Sequence, residues 1–239
     1  DLFMKGVFMY DIAIVGSGVS GIFLAYTLLS TENEIKILII EKGRKFIERI
    51  CPIENGGSTK CVHCTICNKT QGFGGMSRSE GKYNYTNDFG GQIGEKIGGK
   101  LAINLMENVD EILCSFGADK APLYSTENEE LKIKAKGNNY NMLTTKVRHL
   151  GTTLSRKILN EMYLYLKDNV QFKFETDIIS INKDKDVFKL SGTQNVFCSK
   201  KVVLATGISG GEQFLEYCKC FNIKPTGERV DLGVRVEID

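Results

Sequence analysis

Residues 10–21 read YDIAIVGSGVSG, and this stretch decides the fold of the chain. The apolar run at residues 12–15 predicts a buried strand, and the glycines that follow predict a tight turn into a helix. A second apolar run at residues 35–40 ends in Glu41, which stands twenty residues after Gly21. Strand, glycine turn, helix, strand and acid in this order are typical of a dinucleotide-binding unit.

Each of these residues has a physical role in such a unit. Gly16 allows the chain to turn off the strand, Gly18 lets the backbone approach a pyrophosphate, and Gly21 lets the helix pack close to the sheet. The start of the helix offers free N–H groups to the phosphates. Glu41 is predicted to accept hydrogen bonds from a ribose diol. A second glycine-rich stretch at residues 72–77, GFGGMS, predicts another phosphate or cofactor cradle.

The composition of the chain excludes several classes of protein. A length of 239 residues suits one large domain or two small ones. The net charge of +2 gives no reason to expect a nucleic acid or a membrane surface as a partner. Eight cysteines in this setting favour a reducing compartment with metal or thiol chemistry over a secreted disulfide scaffold. We therefore expect a cytoplasmic protein.

Four of the cysteines are candidate metal ligands. Cys61, Cys64 and Cys67 have the spacing of three ligands of a ferredoxin-type cluster, and Cys51 could supply the fourth thiolate. Zinc is the rival, because four thiolates also suit a tetrahedral site and His63 offers another ligand. Two further interpretations stay open, namely a CxxC redox pair and free thiols in a compact loop. The candidate metal groups are thus a 4Fe–4S cluster or zinc.

The rest of the chain predicts an α/β fold. Asn108 is a candidate cap for a helix that runs to Phe116, whereas residues 118–150 show no regular pattern. From Val170 the apolar period changes to two, which predicts an antiparallel β-meander. A buried strand from Lys201 then leads directly into Ala-Thr-Gly at residues 205–207.

Taken together, these features resemble the two-dinucleotide-binding flavoproteins of the glutathione-reductase-like superfamily. Members of that superfamily share the glycine turn, the acid on the second strand, the meander and the strand ending in Ala-Thr-Gly. The chain is most similar to one branch, the uncharacterised FAD-dependent dehydrogenases. The stretches that look like this branch are Cys51-Pro52 and residues 61–75, 79–84, 147–152 and 230–238.

The resemblance implies FAD as the cofactor and a three-layer FAD/NAD(P)-binding Rossmann-type domain. Its sheet would be parallel with an added β-meander, and part of a second, substrate domain would be inserted. Glu41 would bind the ribose, and the backbone of Ile178 would contact the adenine. The full set of expected cofactor-binding residues is Gly16, Gly18, Ser20, Gly21, Glu41, Lys42, Gly74, Gly75, Ser77, Ile178, Ala205, Thr206 and Gly207.

The resemblance also implies a division of the chain. We expect residues 9–99 to form the first part of the FAD-binding domain and residues 100–150 to form an inserted substrate-side segment. Residues 151–220 would continue the FAD-binding domain, and residues 221–239 would begin a truncated substrate domain. The superfamily closes with a Gly-Asp strand and helix that do not follow Asp239, so the resemblance implies an N-terminal part of a longer protein.

The implied function is that of an FAD-dependent oxidoreductase of dehydrogenase or reductase type, with NAD(P)H as a candidate electron donor. The expected partner is a small-molecule substrate or electron acceptor. Candidate catalytic residues are His149, Arg148 and Lys82. Two alternatives stay open: a flavoprotein that acts in nucleotide or tRNA modification, and a non-catalytic dinucleotide- or metal-binding module.

Overall fold

Strands and helices follow one another in the order that the apolar periodicities predict for the first part of the chain. The computed structural model describes residues 8–32, 34–79, 81–225 and 233–234. The strands are β1 (Met9–Val15), β2 (Ile37–Ile40), β3 (Lys82–Tyr85), β4 (Leu123–Ser125), β5 (Lys146–His149), β6 (Gln171–Lys173), β7 (Ile178–Asp184), β8 (Val187–Gly192) and β9 (Val196–Leu204). The helices are α1 (Val19–Thr31), α2 (Ile93–Ile97), α3 (Gly99–Ser115), α4 (Glu129–Gly137), α5 (Gly151–Lys167) and α6 (Gly211–Cys220).

The main sheet has six strands in the order β6-β2-β1-β9-β8-β7. The first four strands of this order are parallel to one another, whereas β7, β8 and β9 pair antiparallel as a meander. The predicted parallel sheet with an added meander is therefore confirmed. Ile14 of β1 stands opposite Ile39 on one side and Val203 on the other. The carboxyl ends of these strands consequently meet at one edge, which is where open α/β sheets bind ligands.

Both faces of the main sheet are buried, because β1 places alternate side chains in two separate cores. Ile14 packs with residues of α1 and α5, among them Ile158 and Met162. Ala13 packs on the opposite face with meander residues and with Tyr217 of α6. The sheet thus has α1 and α5 packed on one face, and its other face lies in a second core that includes α6 and side chains of the meander strands. Complete burial of an isoleucine side chain such as that of Ile14 contributes about 1.5–3 kcal/mol to the free energy of unfolding.

A second, smaller sheet of order β3-β5-β4 lies in the chain between residues 82 and 149. Its strands are antiparallel, and Lys82 stands opposite His149. This sheet pairs with no strand of the main sheet in the described residues. The predicted inserted segment at residues 100–150 and the other domain boundaries stay predictions. Most of the predicted last segment falls on residues 226–232 and 235–239, which lie outside the described residues.

The prediction for the middle of the chain needs correction. Helix α3 begins at Gly99, so Asn108 lies inside the helix and does not cap it. Gly98 has a φ of +92° and precedes the helix, and Ala102 in the first turn is buried. The helix therefore begins nine residues before the local capping pattern, and Ala102 is the one residue of its first turns that is buried. Residues 118–150, expected to be irregular, contain β4, α4 and β5. In the described ranges, no helix is long and apolar enough to cross a membrane.

Candidate functional site

The carboxyl-terminal edge of the main sheet opens into a cavity of about 490 Å³. The turn after β1, the end of β2, the second glycine-rich stretch and the segment after β9 all contribute to its walls. The predicted cofactor residues that line it are Gly16, Gly18, Ser20, Glu41, Lys42, Gly75, Ser77, Ala205, Thr206 and Gly207. Segments far apart in sequence therefore meet at one site.

The turn after β1 has open space beside Gly18 and no space for a side chain at Gly16. A side chain on Gly16 would bring its Cβ within 2.3 Å of the Ala205 carbonyl oxygen, and its φ is +108°. A Cβ on Gly18 would meet no atom within 4 Å. Gly18 precedes the first turn of α1 and no side chain caps that turn. Free backbone N–H groups at a helix start favour an anionic group such as a pyrophosphate.

Glu41 makes four hydrogen bonds within the protein. Its Oε2 accepts from the backbone N–H and the hydroxyl of Ser17, each at 2.8 Å. Its Oε1 accepts from the backbone N–H of Gly43 at 2.7 Å and of Gly72 at 3.1 Å. A carboxylate has about four acceptor positions, so these donors use its capacity. The predicted ribose contact stays a prediction, and the structure adds a role for Glu41 as an anchor between two loops.

The second glycine-rich stretch packs directly against the turn after β1. The N–H of Gly74 donates to the Ser17 carbonyl oxygen at 2.9 Å, and a Cβ on Gly75 would lie 3.5 Å from the Gly18 Cα atom. Gly74 has a φ of +85°, a left-handed conformation that side chains disfavour. The two glycine-rich segments therefore form adjoining walls of one narrow cradle.

Comparison with known proteins places this architecture. No protein-family profile matches the sequence, and no curated protein is significantly similar to it. The crystal structure of glycine oxidase from Geobacillus kaustophilus superposes with a TM-score of 0.50 and 17% identity. The fold is of the FAD/NAD(P)-binding Rossmann type. The alignment covers 86% of this chain and 58% of glycine oxidase, so the chain spans little more than half of that protein's length.

Two further solved structures are similar at lower scores. A mutant of NikD, an unusual amino acid oxidase essential for nikkomycin biosynthesis, has a TM-score of 0.43 and 11% identity, and covers 83% of this chain and 51% of that one. A structure titled OTEMO in complex with FAD and NADP has a TM-score of 0.41 and 12% identity, and covers 83% and 26% of the two chains.

Three of the predicted cofactor residues support the Rossmann-type site without lining its cavity. A Cβ on Gly21 would lie 2.2 Å from the Gly16 carbonyl oxygen, so this glycine allows α1 to pack against the turn. A Cβ on Gly74 would lie 2.9 Å from the Cδ1 atom of Leu159. Ile178 is buried, and its carbonyl oxygen accepts a hydrogen bond from the Tyr217 hydroxyl at 2.6 Å. The predicted adenine contact at Ile178 stays untested by this arrangement.

The end of the cavity nearest Ile178 contains the predicted residue Lys42 together with Asp177, Gln213 and Tyr217, which the sequence did not single out. Lys42 forms an ion pair of 2.8 Å with Asp177, and both side chains are about half exposed. Gln213 and Tyr217 of α6 also line the cavity. Burial raises the pKa of Tyr217 to about 12, and the nearby charge of Asp177 acts in the same direction. The tyrosine hydroxyl is therefore neutral at physiological pH and keeps the proton that it donates to the Ile178 carbonyl oxygen.

The four candidate metal ligands do not form a metal site in the described part of the chain. Cys61 and Cys64 are exposed, whereas Cys51 and Cys67 are half-buried. No group of three or more His, Cys, Asp or Glu side chains is placed there to hold a metal ion. The Cys67 thiol has local partners instead, because the Thr70 side chain donates to it and lowers its pKa. The local turn thus satisfies one predicted ligand without a metal.

The three candidate catalytic residues lie in the small sheet, and none of them lines the cavity at the edge of the main sheet. Lys82 and His149 are exposed on paired strands. Arg148 is buried, and its guanidinium forms a bidentate pair with Asp110 at 2.6 and 2.7 Å. It also donates to the carbonyl oxygens of Ala118 and Ala121. This arrangement gives Arg148 a structural role between β5, α3 and the segment that follows α3.

Proposed function

We propose that this protein is an FAD-dependent oxidoreductase of dehydrogenase or reductase type. The observation that carries the proposal is the cradle between the turn after β1 and the second glycine-rich stretch. Open space in front of Gly18 leaves the backbone accessible to a bulky anionic ligand, and Gly75 forms the facing wall. The Rossmann-type fold supports the proposal, because that fold places a dinucleotide at this edge of the sheet.

In this proposal, residues that line the cavity are assigned to the parts of FAD. The N–H groups at the start of α1 would hold the pyrophosphate, and Ser77 would add a hydroxyl from the facing wall. Lys42 and Tyr217 would lie at the adenine end. Thr206 and Gly207, which follow the strand next to β1, would hold the ribityl chain. When bound, FAD supplies the capacity to accept or donate a hydride, and the protein supplies position and electrostatics.

The electron donor in this proposal is NAD(P)H, and the oxidising partner is a small molecule. Bound FAD would take up a hydride from NAD(P)H and a proton, and would pass two electrons and two protons to the acceptor. No nucleic-acid partner is proposed, because the net charge is only +2. A cytoplasmic location is proposed from the cysteine usage.

The test begins with FAD titration of the purified protein, followed by flavin absorbance under anaerobic conditions. We expect saturable FAD binding, bleaching of the flavin bands by NADH or NADPH, and recovery of the bands when an acceptor is added. Binding of NAD⁺ or ADP without binding of FAD would overturn the cofactor assignment. Bound FAD that neither nicotinamide reduces would overturn the assigned donor and leave a binding module.

A further inference from the structure

Arg49 is completely buried, and its guanidinium is surrounded by backbone carbonyl oxygens. Its Nε donates to Asn68 at 3.1 Å, and Nη1 donates to Phe73 at 2.5 Å. Its Nη2 donates to Lys69 at 3.0 Å and to Gly75 at 2.9 Å. One side chain therefore joins two limbs of the loop at residues 68–75. We call this arrangement the carbonyl cage.

The carbonyl cage determines which way the loop faces. Arg49 does not line the cavity, whereas Thr70, Gln71 and Gly72 between the two limbs do. The four carbonyl groups point toward Arg49, which is not part of the cavity wall. A buried carbonyl group without a donor is unfavourable, so reversal of these peptide groups is disfavoured while Arg49 is present.

The charge of Arg49 is not neutralised by a hydrogen-bonded carboxylate in the contacts of the described residues. Its own carbonyl oxygen accepts from Arg78 at 2.7 Å, and Arg78 pairs with Glu54 at 3.1 Å. Burial lowers the pKa of Arg49 to about 10, and the positive charge of Arg78 adds to this effect. The guanidinium is still charged at neutral pH. Desolvation of a charge is costly, and a fork with four acceptors offsets it in a way that one ammonium group cannot.

We propose that Arg49 is the positioning residue of the cofactor loop: its guanidinium holds residues 68–75 so that Thr70, Gln71 and Gly72 face the dinucleotide. This inference rests on the proposed FAD function for its ligand. A lysine at this position cannot donate to both limbs at once, because its three N–H donors all belong to one nitrogen atom. The fork, and not the charge alone, is what the loop requires.

Hydrogen exchange and FAD titration of the Arg49→Lys variant test the proposal. Arg44→Lys is the matched control, because Arg44 carries the same group on the same segment but pairs with Glu175 at the half-exposed surface. Both variants are measured at a temperature where circular dichroism shows the folded state. We expect amide exchange at residues 68–77 to accelerate at least about tenfold in Arg49→Lys, with β1 and β2 unchanged. We also expect its Kd for FAD to rise about tenfold or more.

The outcomes separate the two proposals. Unchanged loop exchange together with unchanged FAD affinity in Arg49→Lys would overturn the positioning role. Uniformly faster exchange across the protein with unchanged FAD affinity would show a merely structural residue and would also overturn it. If the unmodified protein binds no FAD, the proposed function fails, and the exchange of residues 68–77 still decides whether Arg49 holds the loop. If Arg49→Lys does not fold, Arg49→Gln, which keeps a shorter planar donor group, is compared with Arg44→Gln by the same two measurements.

Discussion

Glu41 and Arg49 hold the same glycine-rich loop through opposite ends of its peptide groups. The Glu41 carboxylate accepts the N–H of Gly72 at 3.1 Å, and the Arg49 guanidinium donates to the carbonyl oxygen of Phe73. The two charged groups share no hydrogen bond, yet the charge of Glu41 raises the pKa of Arg49 against the effect of burial. This part of the cavity wall is therefore held by a carboxylate and a guanidinium, which form hydrogen bonds with neighbouring residues of one loop.

The first prediction concerns Glu41. Glu41→Gln replaces one acceptor oxygen with an amide that faces N–H donors, so we expect the ligand-free protein to lose about 2 kcal/mol of unfolding free energy in urea. Glu175→Gln is the control, because Glu175 is exposed and makes one long contact with Arg44; its loss should stay below about 0.5 kcal/mol. Weaker FAD binding with unchanged stability would contradict the anchoring role and favour ribose recognition alone.

The second prediction concerns Gly16. Gly16→Ala places a Cβ 2.3 Å from the Ala205 carbonyl oxygen at a φ of +108°, so both strain and overlap oppose the native turn. We expect a loss of about 3 kcal/mol or more in urea unfolding, with a lower yield of folded protein. A Gly16→Ala variant as stable as the parent would mean that the turn after β1 packs more loosely than described.

The third prediction concerns Gly18, where the expected effect is on binding. Its Cβ would project into open space, so Gly18→Ala should cost less than about 1 kcal/mol of stability. The methyl group occupies the cradle, however, and we expect the Kd for FAD to rise at least about tenfold by fluorescence titration. Gly137→Ala, at the end of α4 and also in open space, is the control for both measurements. Equal FAD affinity in the two variants would place the ligand elsewhere.

The fourth prediction concerns the buried pair of Arg148 and Asp110. Arg148→Met leaves the partly buried Asp110 carboxylate without its cationic partner and with the Tyr85 hydroxyl as a remaining donor, and we expect a loss of about 3 kcal/mol in unfolding free energy. Lys146→Met removes an exposed pair with Glu107 and should cost less than about 1 kcal/mol. FAD affinity of the folded fraction should be unchanged in both variants. A loss of FAD binding in Arg148→Met alone would support the original catalytic assignment.

The same pair predicts a pH dependence. The hydrogen bonds from Arg148 lower the pKa of Asp110 below its usual 3.8, so the folded state binds this proton less readily than the unfolded state. The resulting stability is fully present above the unfolded pKa and is lost as the pH falls through the folded pKa. As the pH is lowered below about 4, we expect the urea midpoint of the parent to decrease more steeply than that of Asp110→Asn. Parallel curves for the two proteins would contradict this assignment.

The fifth prediction concerns the cysteines. Exposed Cys61 and Cys64 should react with a thiol reagent within the mixing time, whereas buried Cys198 and Cys218 should react only on unfolding. Mass spectrometry of the labelled peptides gives the rates for each residue. The measurement is repeated after anaerobic addition of zinc or reconstitution with iron and sulfide. Protection of Cys61, Cys64 and Cys67 together would restore the metal hypothesis, and unchanged rates would support the open loop.

Features that depend on short-range interactions were predictable from the sequence, whereas features that depend on contacts between distant residues were not. The turn at Gly16, the strand that ends in Glu41 and the meander from Val170 were predictable, because each depends on local periodicity or on a glycine conformation. Arg49 was not, since a charged residue in an irregular segment carries no signal of burial. Arg148 was a candidate catalytic residue, and its bidentate pair with Asp110, thirty-eight residues away, is a contact that no local pattern predicts.

By itself, the sequence determined the Rossmann-type order of elements and the place of the cradle, because apolar period and glycine positions act within one strand or turn. Only the tertiary structure decided how the cradle is held. Glu41 is bound by donors from three separate positions, and Arg49 gathers four carbonyl groups that lie nineteen to twenty-six residues away. Such groups must be buried together before their hydrogen bonds outweigh the cost of removing charge from water, and no local pattern records that meeting.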